Sequence, residues 1–178
     1  FLAEKLDDIW GHVTTRLPDG SGFLLKHLRI PAPGIDPDEV MAFDYEGHPV
    51  SGRQSVPWEI PLYTSIFRRR PDVGSVVHVH PPVATALATA GATIHAVSHE
   101  GLEFGPGLPT FSGDIIDTQE LGDGVAETLG PATGCMLKGH GAVLVGATVR
   151  HATISALYLE RTAKQIVWAS AVGRPEVL

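Results

Sequence analysis

Two histidines separated by a single residue stand in the stretch Gly74–Pro82, and their spacing carries chemistry. The valines around them are β-branched, so the run reads as a strand in which alternate residues share a face: His78 and His80 point together, while Val77 and Val79 point away. Two neutral imidazoles so placed can reach one divalent cation if the fold brings further ligands. The same pair would serve equally well as a hydrogen-bonded polar patch, and the remainder of the chain has to decide. His140 lies between Gly139 and Gly141, where the backbone can turn sharply and leave the imidazole unobstructed, although a structural histidine also fits there. Glu59 falls in the first turn of an expected helix, a position that favours a carboxylate on dipole grounds alone. Taken together, three imidazoles and one carboxylate suit zinc or manganese, with room for water or substrate if the carboxylate stays free.

The elements that must position these groups follow from periodicity. Gly11–Arg16 alternates small, polar and β-branched residues, Pro18–Gly20 is a turn signal, and Gly22–Lys26 is strand-like, so the two runs predict a hairpin. Pro31–Gly34 reads as a loop, Asp36–Met41 as a short helix opened by Asp36 and Pro37, and Phe43–Gly47 as a strand end and turn. Ser55–Arg70 predicts a helix with Pro57 and Pro61 confined to its entrance and Leu62, Ile66 and Phe67 on its buried side. After the histidine strand come a small-residue helix over Val83–Ala90, a strand over Ile94–Val97 and an ordered loop over Leu102–Ser112. A helix over Asp117–Leu129 follows. Cys135–Lys138 and Ala142–Val145 predict two strands flanking the turn that carries His140, and Val149–Val172 a long amphipathic helix ended by Gly173. Residues 1–9 carry an amphipathic helix pattern whose beginning is expected upstream. With no repeat or linker, the alternation of helices and strands predicts one α/β layered domain over residues 1–178, with a mainly antiparallel sheet because several connections are short.

Composition narrows the class. A chain of 178 residues with 43% hydrophobic content can form a proper core, and a single cysteine, Cys135, excludes an internal disulfide framework. The start of the chain lacks the pattern of a signal peptide, and the apolar run Ala142–Ala147 is far too short to cross a bilayer, so a soluble cytoplasmic protein without membrane partners is expected. A formal net charge of -7 argues against a nucleic-acid surface. The basic run Arg68–Arg70 sits where a helix ends and complements its exposed carbonyls, with an intersubunit salt bridge as the second reading.

Other histidine metal patterns fail on sequence. A metallo-β-lactamase requires Asp and a further His just after the pair, where Pro82 and Val83 stand; a cupin requires Glu a few residues on, where Ala84, Thr85 and Ala86 stand. In order, the chain presents Gly11–Arg16, Glu59 opening a helix, Arg70–Val73, His78 and His80, Lys138–Gly141 and a long final helix. By these motifs it resembles the class II aldolase/adducin superfamily over nearly its whole length. The resemblance implies a three-layer α/β/α sandwich and one divalent metal per subunit held by His78, His80 and His140. It implies Glu59 as an added ligand or acid/base, and a homotetramer with active sites between subunits.

Two departures from the sugar-phosphate aldolases of that superfamily bear on the substrate. Where those enzymes hold phosphate with Gly-Asn, Thr-Gly or Ser-Gly, and Ser-Ser pairs, this chain has Gly11–His12, Pro33–Gly34 and Pro57–Trp58. Hydroxyl and amide donors are thereby lost, and Trp58 adds a stacking surface. Where the fuculose-phosphate aldolases supply a protonating tyrosine from a neighbouring subunit, the Ala96–Glu100 region offers His99. These changes are similar to the branch that decarboxylates hydroxyaromatic acids such as hydroxypyridine dicarboxylates and dihydroxyphthalates. The resemblance then implies a carboxylate substrate, with Glu59 and His99 as catalytic groups and His12, Trp58 and Arg16 as substrate contacts. Arg16 has an equal alternative as a surface ion pair. Retro-aldol cleavage of a hydroxy-acid or keto-sugar is the second reading, and a non-catalytic adducin-like interaction module the third.

Overall fold

A computed structural model describes residues 11–26, 36, 39–51 and 56–178. The expected features at residues 1–9 and Pro31–Gly34, including the Pro33–Gly34 pair, and at Ser55 lie outside the described residues. Among the described residues eight strands form one sheet: β1 (His12–Arg16), β2 (Phe23–Lys26), β3 (Val40–Phe43), β4 (Pro49–Ser51), β5 (Ser75–Val79), β6 (Thr110–Phe111), β7 (Gly134–Leu137) and β8 (Gly141–Gly146). Their spatial order is β4-β3-β2-β1-β5-β8-β7-β6. Every neighbouring pair is antiparallel except β6 with β7.

Alternation along the strands divides the core. Val76, Val143 and Val145 face a cluster completed by Phe23, Phe43, Tyr63, Phe67 and Leu129, under helices α1 (Ile60–Arg69) and α3 (Gln119–Leu129). Val77, Val79, Ala142 and Leu144 face the opposite cluster, under α2 (Pro82–Thr89), α4 (Val149–Val172) and a 3-10 helix at His99–Phe104. Helices thus cover both faces of a mainly antiparallel sheet, the expected three-layer α/β/α sandwich.

Several local expectations give way. Ile94–Val97 joins no ladder: Ile94 accepts from the Leu108 N–H and Ala96 from the Leu178 N–H. Its apolar residues reflect burial under α4's layer, and burial alone does not distinguish a strand from a packed loop. Val40 and Met41 belong to β3 and not to a short helix, because pairing with β2 sends Met41 and Phe43 into the core. Helix α1 starts at Ile60, so Pro57 and Trp58 precede it and Glu59 is its N-cap residue. The Leu102–Ser112 loop contains the end of the 3-10 helix and strand β6, and Thr118, not Asp117, caps α3 by accepting from the Leu121 N–H.

Two long-range polar contacts join the helices within each layer. The Glu160 carboxylate on α4, almost fully buried, accepts from the backbone N–H groups of Val83 and Ala84 at 3.1 Å each. It therefore caps α2, whose own N-cap residue is Pro81 and offers no side-chain acceptor. Arg70 at the end of α1 donates to the Gly130 and Ala132 carbonyls beyond α3 and pairs with Asp72. Arg70 of the basic run is thus spent on the carbonyls that follow another helix, where its own helix end was the expectation.

Candidate metal centre and active site

Strand β5 places His78 and His80 on the α1 side of the sheet, as their spacing requires, and the β7–β8 turn brings His140 beside them. Ring centroids lie 4.7 Å apart for His78 and His80, 4.9 Å for His78 and His140, and 5.3 Å for His80 and His140. One nitrogen from each falls within 4.8 Å of the others, close enough for a single ion to bridge them. The turn depends on two glycines for different reasons. Gly139 has φ +74°, in the left-handed region. At Gly141 an added Cβ would stand 2.4 Å from the Val79 carbonyl oxygen and 3.0 Å from the His80 ring.

The fully buried His78 has its tautomer set by its neighbour: Nδ1 lies 3.0 Å from the Ala142 carbonyl and donates to it, which leaves a lone pair on Nε2. That Nε2 is buried without a hydrogen bond and faces Glu59 Oε2 at 3.5 Å. Glu59 Oε1, also buried without a hydrogen bond, lies 3.6 Å from His140 Nε2. Acceptors left unsatisfied in a buried cluster are costly to a protein unless something cationic binds them. The residues present therefore fit a divalent ion: three neutral imidazoles, a carboxylate, and orphaned lone pairs directed at a common space.

Electrostatics agree. Burial, reinforced by the neighbouring imidazoles, holds His78 well below the usual histidine range, so it stays neutral and able to ligate. Burial and His80 also lower His140, against an opposing pull from Asp114. Burial pushes the Glu59 carboxyl up to about 7, although His80 and a hydrogen bond from the Ile116 N–H work the other way. A carboxyl poised in this way can both carry and release a proton near neutrality. The Cys135 thiol, in contrast, is pushed up to about 12 by burial and is chemically quiet.

The remaining expected site residues separate. His12 pairs directly across from His78 in the β1–β5 ladder, and its ring lies 6.4 Å from the His78 ring. Its Nδ1 lies 2.9 Å from the Tyr63 hydroxyl. Tyr63 was not singled out by sequence, yet the signal exists: it follows Glu59 by four residues and so shares its face of α1. Trp58 is 65% exposed beside Glu59. His99 starts the 3-10 helix that packs on α4, across the sheet from the face that carries His78, so it is not brought to the triad within one subunit.

Arg16 does not join the site. Its guanidinium donates to the carbonyls of Val73 at 3.0 Å, Phe67 at 3.0 Å and Arg70 at 3.2 Å, and to the Tyr45 hydroxyl. It also lies over the Phe67 ring. It therefore closes the C-terminal end of α1, whereas Glu59 stands at the N-terminal end, roughly 15 Å away along the axis at 1.5 Å per residue. The expectation of a carboxylate clamp is replaced by a helix-terminus cap, because exposed carbonyls at close range consume its donors.

The fold and the site define a three-layer α/β/α class in which three histidines able to hold a metal ion meet a glutamate at the start of one helix. The chain belongs to the Class II Aldolase and Adducin N-terminal domain family, whose model matches residues 4–167. It is 28% identical over 182 residues to a 3,4-dihydroxyphthalate decarboxylase from Arthrobacter keyseri, covering 94% of this chain and 73% of that protein. It is 29% identical over 161 residues to the 5-methylthioribulose-1-phosphate/5-deoxyribulose-1-phosphate aldolase of Rhodospirillum rubrum, covering 89% and 72% respectively. The L-fuculose-1-phosphate aldolase of Thermus thermophilus shares the fold with a TM-score of 0.85 at 23% identity, over 96% of this chain and 89% of its own. These relatives are lyases, and they divide between decarboxylation and aldol cleavage.

Proposed function

We propose that the chain is a divalent-metal-dependent carbon-carbon lyase that decarboxylates a non-phosphorylated hydroxyaromatic carboxylic acid. The observation that carries this reading is the triad of a buried His78 and half-buried His80 and His140 with Glu59 facing it. Similarity to the dihydroxyphthalate decarboxylase supports the choice of substrate class, as does Pro57–Trp58 where a phosphate-holding hydroxyl pair would stand. The three histidines would hold zinc or manganese, which supplies a Lewis acid for a ring hydroxyl and the adjacent carboxylate. Glu59 has the two roles open to a carboxyl at this place, added ligand or proton donor. As donor it delivers its proton to the ring carbon as the bond to the departing carbon dioxide breaks and leaves its electron pair in the ring. Trp58 offers a stacking face to the ring, and His12, held by Tyr63, supports His78 from the neighbouring strand. His99 of an adjacent subunit is assigned to orienting the substrate or donating a proton, within a cytoplasmic homotetramer of single-domain subunits.

Similarity to the Rhodospirillum aldolase favours a second reading, retro-aldol cleavage at the same site. A non-catalytic adducin-like module ranks below both, since it has no use for a complete histidine set. The test is product analysis with zinc- or manganese-loaded protein: carbon dioxide from hydroxyaromatic acids is expected, an aldehyde from hydroxy-acids or keto-sugars would shift the assignment to aldolase, and neither product would remove the lyase reading.

A further inference from the structure

His80 stands where the backbone leaves the sheet for a helix. The last ladder pair of β5 joins Val79 to Ala142, so His80 lies one residue beyond it. Helix α2 starts at Pro82 with Pro81 as its N-cap residue, which makes His80 and Pro81 a two-residue link between strand and helix. His78, in contrast, is paired on both sides, with His12 of β1 and Val143 of β8, and the His140 N–H donates to the Leu137 carbonyl within its own tight turn. The His80 ring has little room to drift. It lies 4.7 Å from the His78 ring and 5.3 Å from the His140 ring, and a Cβ at Gly141 would come within 3.0 Å of it.

Proline has no N–H, so neither Pro81 nor Pro82 can tie this link down, and the first backbone donors after His80 are those of Val83 and Ala84. Both go to one acceptor. Glu160 Oε2 accepts from each at 3.1 Å, while Lys164 lies 3.5 Å from Oε1. Glu160 is 2% exposed and sits on α4, in the layer across the sheet from the face that carries the triad. A carboxylate so far out of water costs a protein more than the cap of an eight-residue helix ordinarily returns. What it returns besides is a fixed start for α2. Pro81, at φ -67°, and the ring of Pro82 pass that placement back to His80 with few soft torsions between.

We infer that Glu160 is a positioning residue for the metal centre: by holding the Val83 and Ala84 N–H groups it fixes the His80–Pro81–Pro82 link, and with it the direction from which the His80 imidazole meets the ion. This rests on the reading of the triad as a metal site and adds a supporting group from the opposite layer, one that touches neither metal nor substrate. Groups that orient a ligand in this way commonly carry about 10- to 100-fold of a site's metal affinity.

The test is zinc affinity by chelator competition for wild type, Glu160→Ala, Glu160→Gln and Arg16→Met, with thermal unfolding of each metal-free protein and the visible spectrum of each cobalt(II)-loaded one. Arg16→Met is the control, since it weakens the fold at the far end of α1, away from His80. Glu160→Ala is expected to lose about tenfold or more in zinc affinity, and its cobalt spectrum to move toward that of His80→Ala. Glu160→Gln keeps one acceptor oxygen and should fall between Glu160→Ala and the wild type; it carries the test alone if Glu160→Ala does not fold. Arg16→Met should unfold earlier than the wild type yet keep its affinity and spectrum. Wild-type affinity and spectrum in the Glu160 variants that fold would overturn the positioning role, as would an equal loss in Arg16→Met, which would make the effect one of general stability. Wild-type protein that takes up no stoichiometric zinc would overturn the metal reading itself, and the role with it.

Discussion

At the residue scale the site is a set of lone pairs turned toward a common space, and a hydrogen bond on the far side of a ring decides which nitrogen is left to ligate. His78 is the clearest case, since its Nδ1 donates to the Ala142 carbonyl and its Nε2 is left to ligate. Substituting His78→Ala is expected to reduce bound divalent metal from about one per subunit to a small fraction and lyase activity by about 10³-fold or more, an order of magnitude consistent with loss of the group that stabilises developing charge. Metal analysis of the purified variant checks this, and unchanged metal content would sink the site. Glu59 gives a prediction with a sign. Its folded-state value, raised by burial to about 7 from 4.5, means that the folded metal-free protein binds more protons than the unfolded chain between those limits. Stability is then lost as pH rises through that window, by about 1–3 kcal/mol. Urea titrations of chelator-treated protein should therefore show Glu59→Gln near wild-type stability at pH 5 and more stable than wild type at pH 8, while its activity is abolished.

At the element scale, helix ends do most of the positioning. Helix α1 carries Glu59 at one end and is closed at the other by Arg16, so removing Arg16 should loosen the helix without touching the ligands. Arg16→Met is expected to cost about 2–4 kcal/mol, since three part-buried carbonyls lose a charged donor. Metal affinity should stay within a few-fold of wild type; a large loss of affinity at unchanged stability would restore Arg16 to the site. Helix α2 begins directly after His80 and depends on Glu160 for its cap. Glu160→Ala is expected to lower stability by about 1–3 kcal/mol, because it leaves one buried and one part-buried N–H group without an acceptor. Glu160→Gln, which keeps one acceptor oxygen, should recover part of this in thermal unfolding.

At the scale of the whole molecule, Trp58 is exposed next to Glu59 in the chain, and His99 lies on the other layer. A site that uses both needs a second copy of the chain. Light scattering is expected to give four chains per particle, and mixing subunits that carry His99→Ala with subunits that carry His78→Ala should restore activity to particles in which neither parent is active. A monomeric particle with full activity would remove the interfacial role of His99. No helix among the described residues is long and apolar enough to cross a membrane.

The period-two placement of His78 and His80, the glycine-flanked turn of His140, the long final helix and the mainly antiparallel sandwich are all legible in the linear chain. Each is written in local spacing: a strand alternates faces whatever packs on it, and a turn with Gly139 at positive φ needs glycine in any fold. Packing settled what depends on partners distant in the chain. Arg16 looked available until the carbonyls at the end of α1 claimed it. Ile94–Val97 looked like a strand until it was found bonded to Leu108 and Leu178. That Tyr63 would meet His12, and Ile116 would meet Glu59, had no local signature. A side chain's chemistry is fixed by its type, but what it meets is fixed by residues often more than fifty positions away.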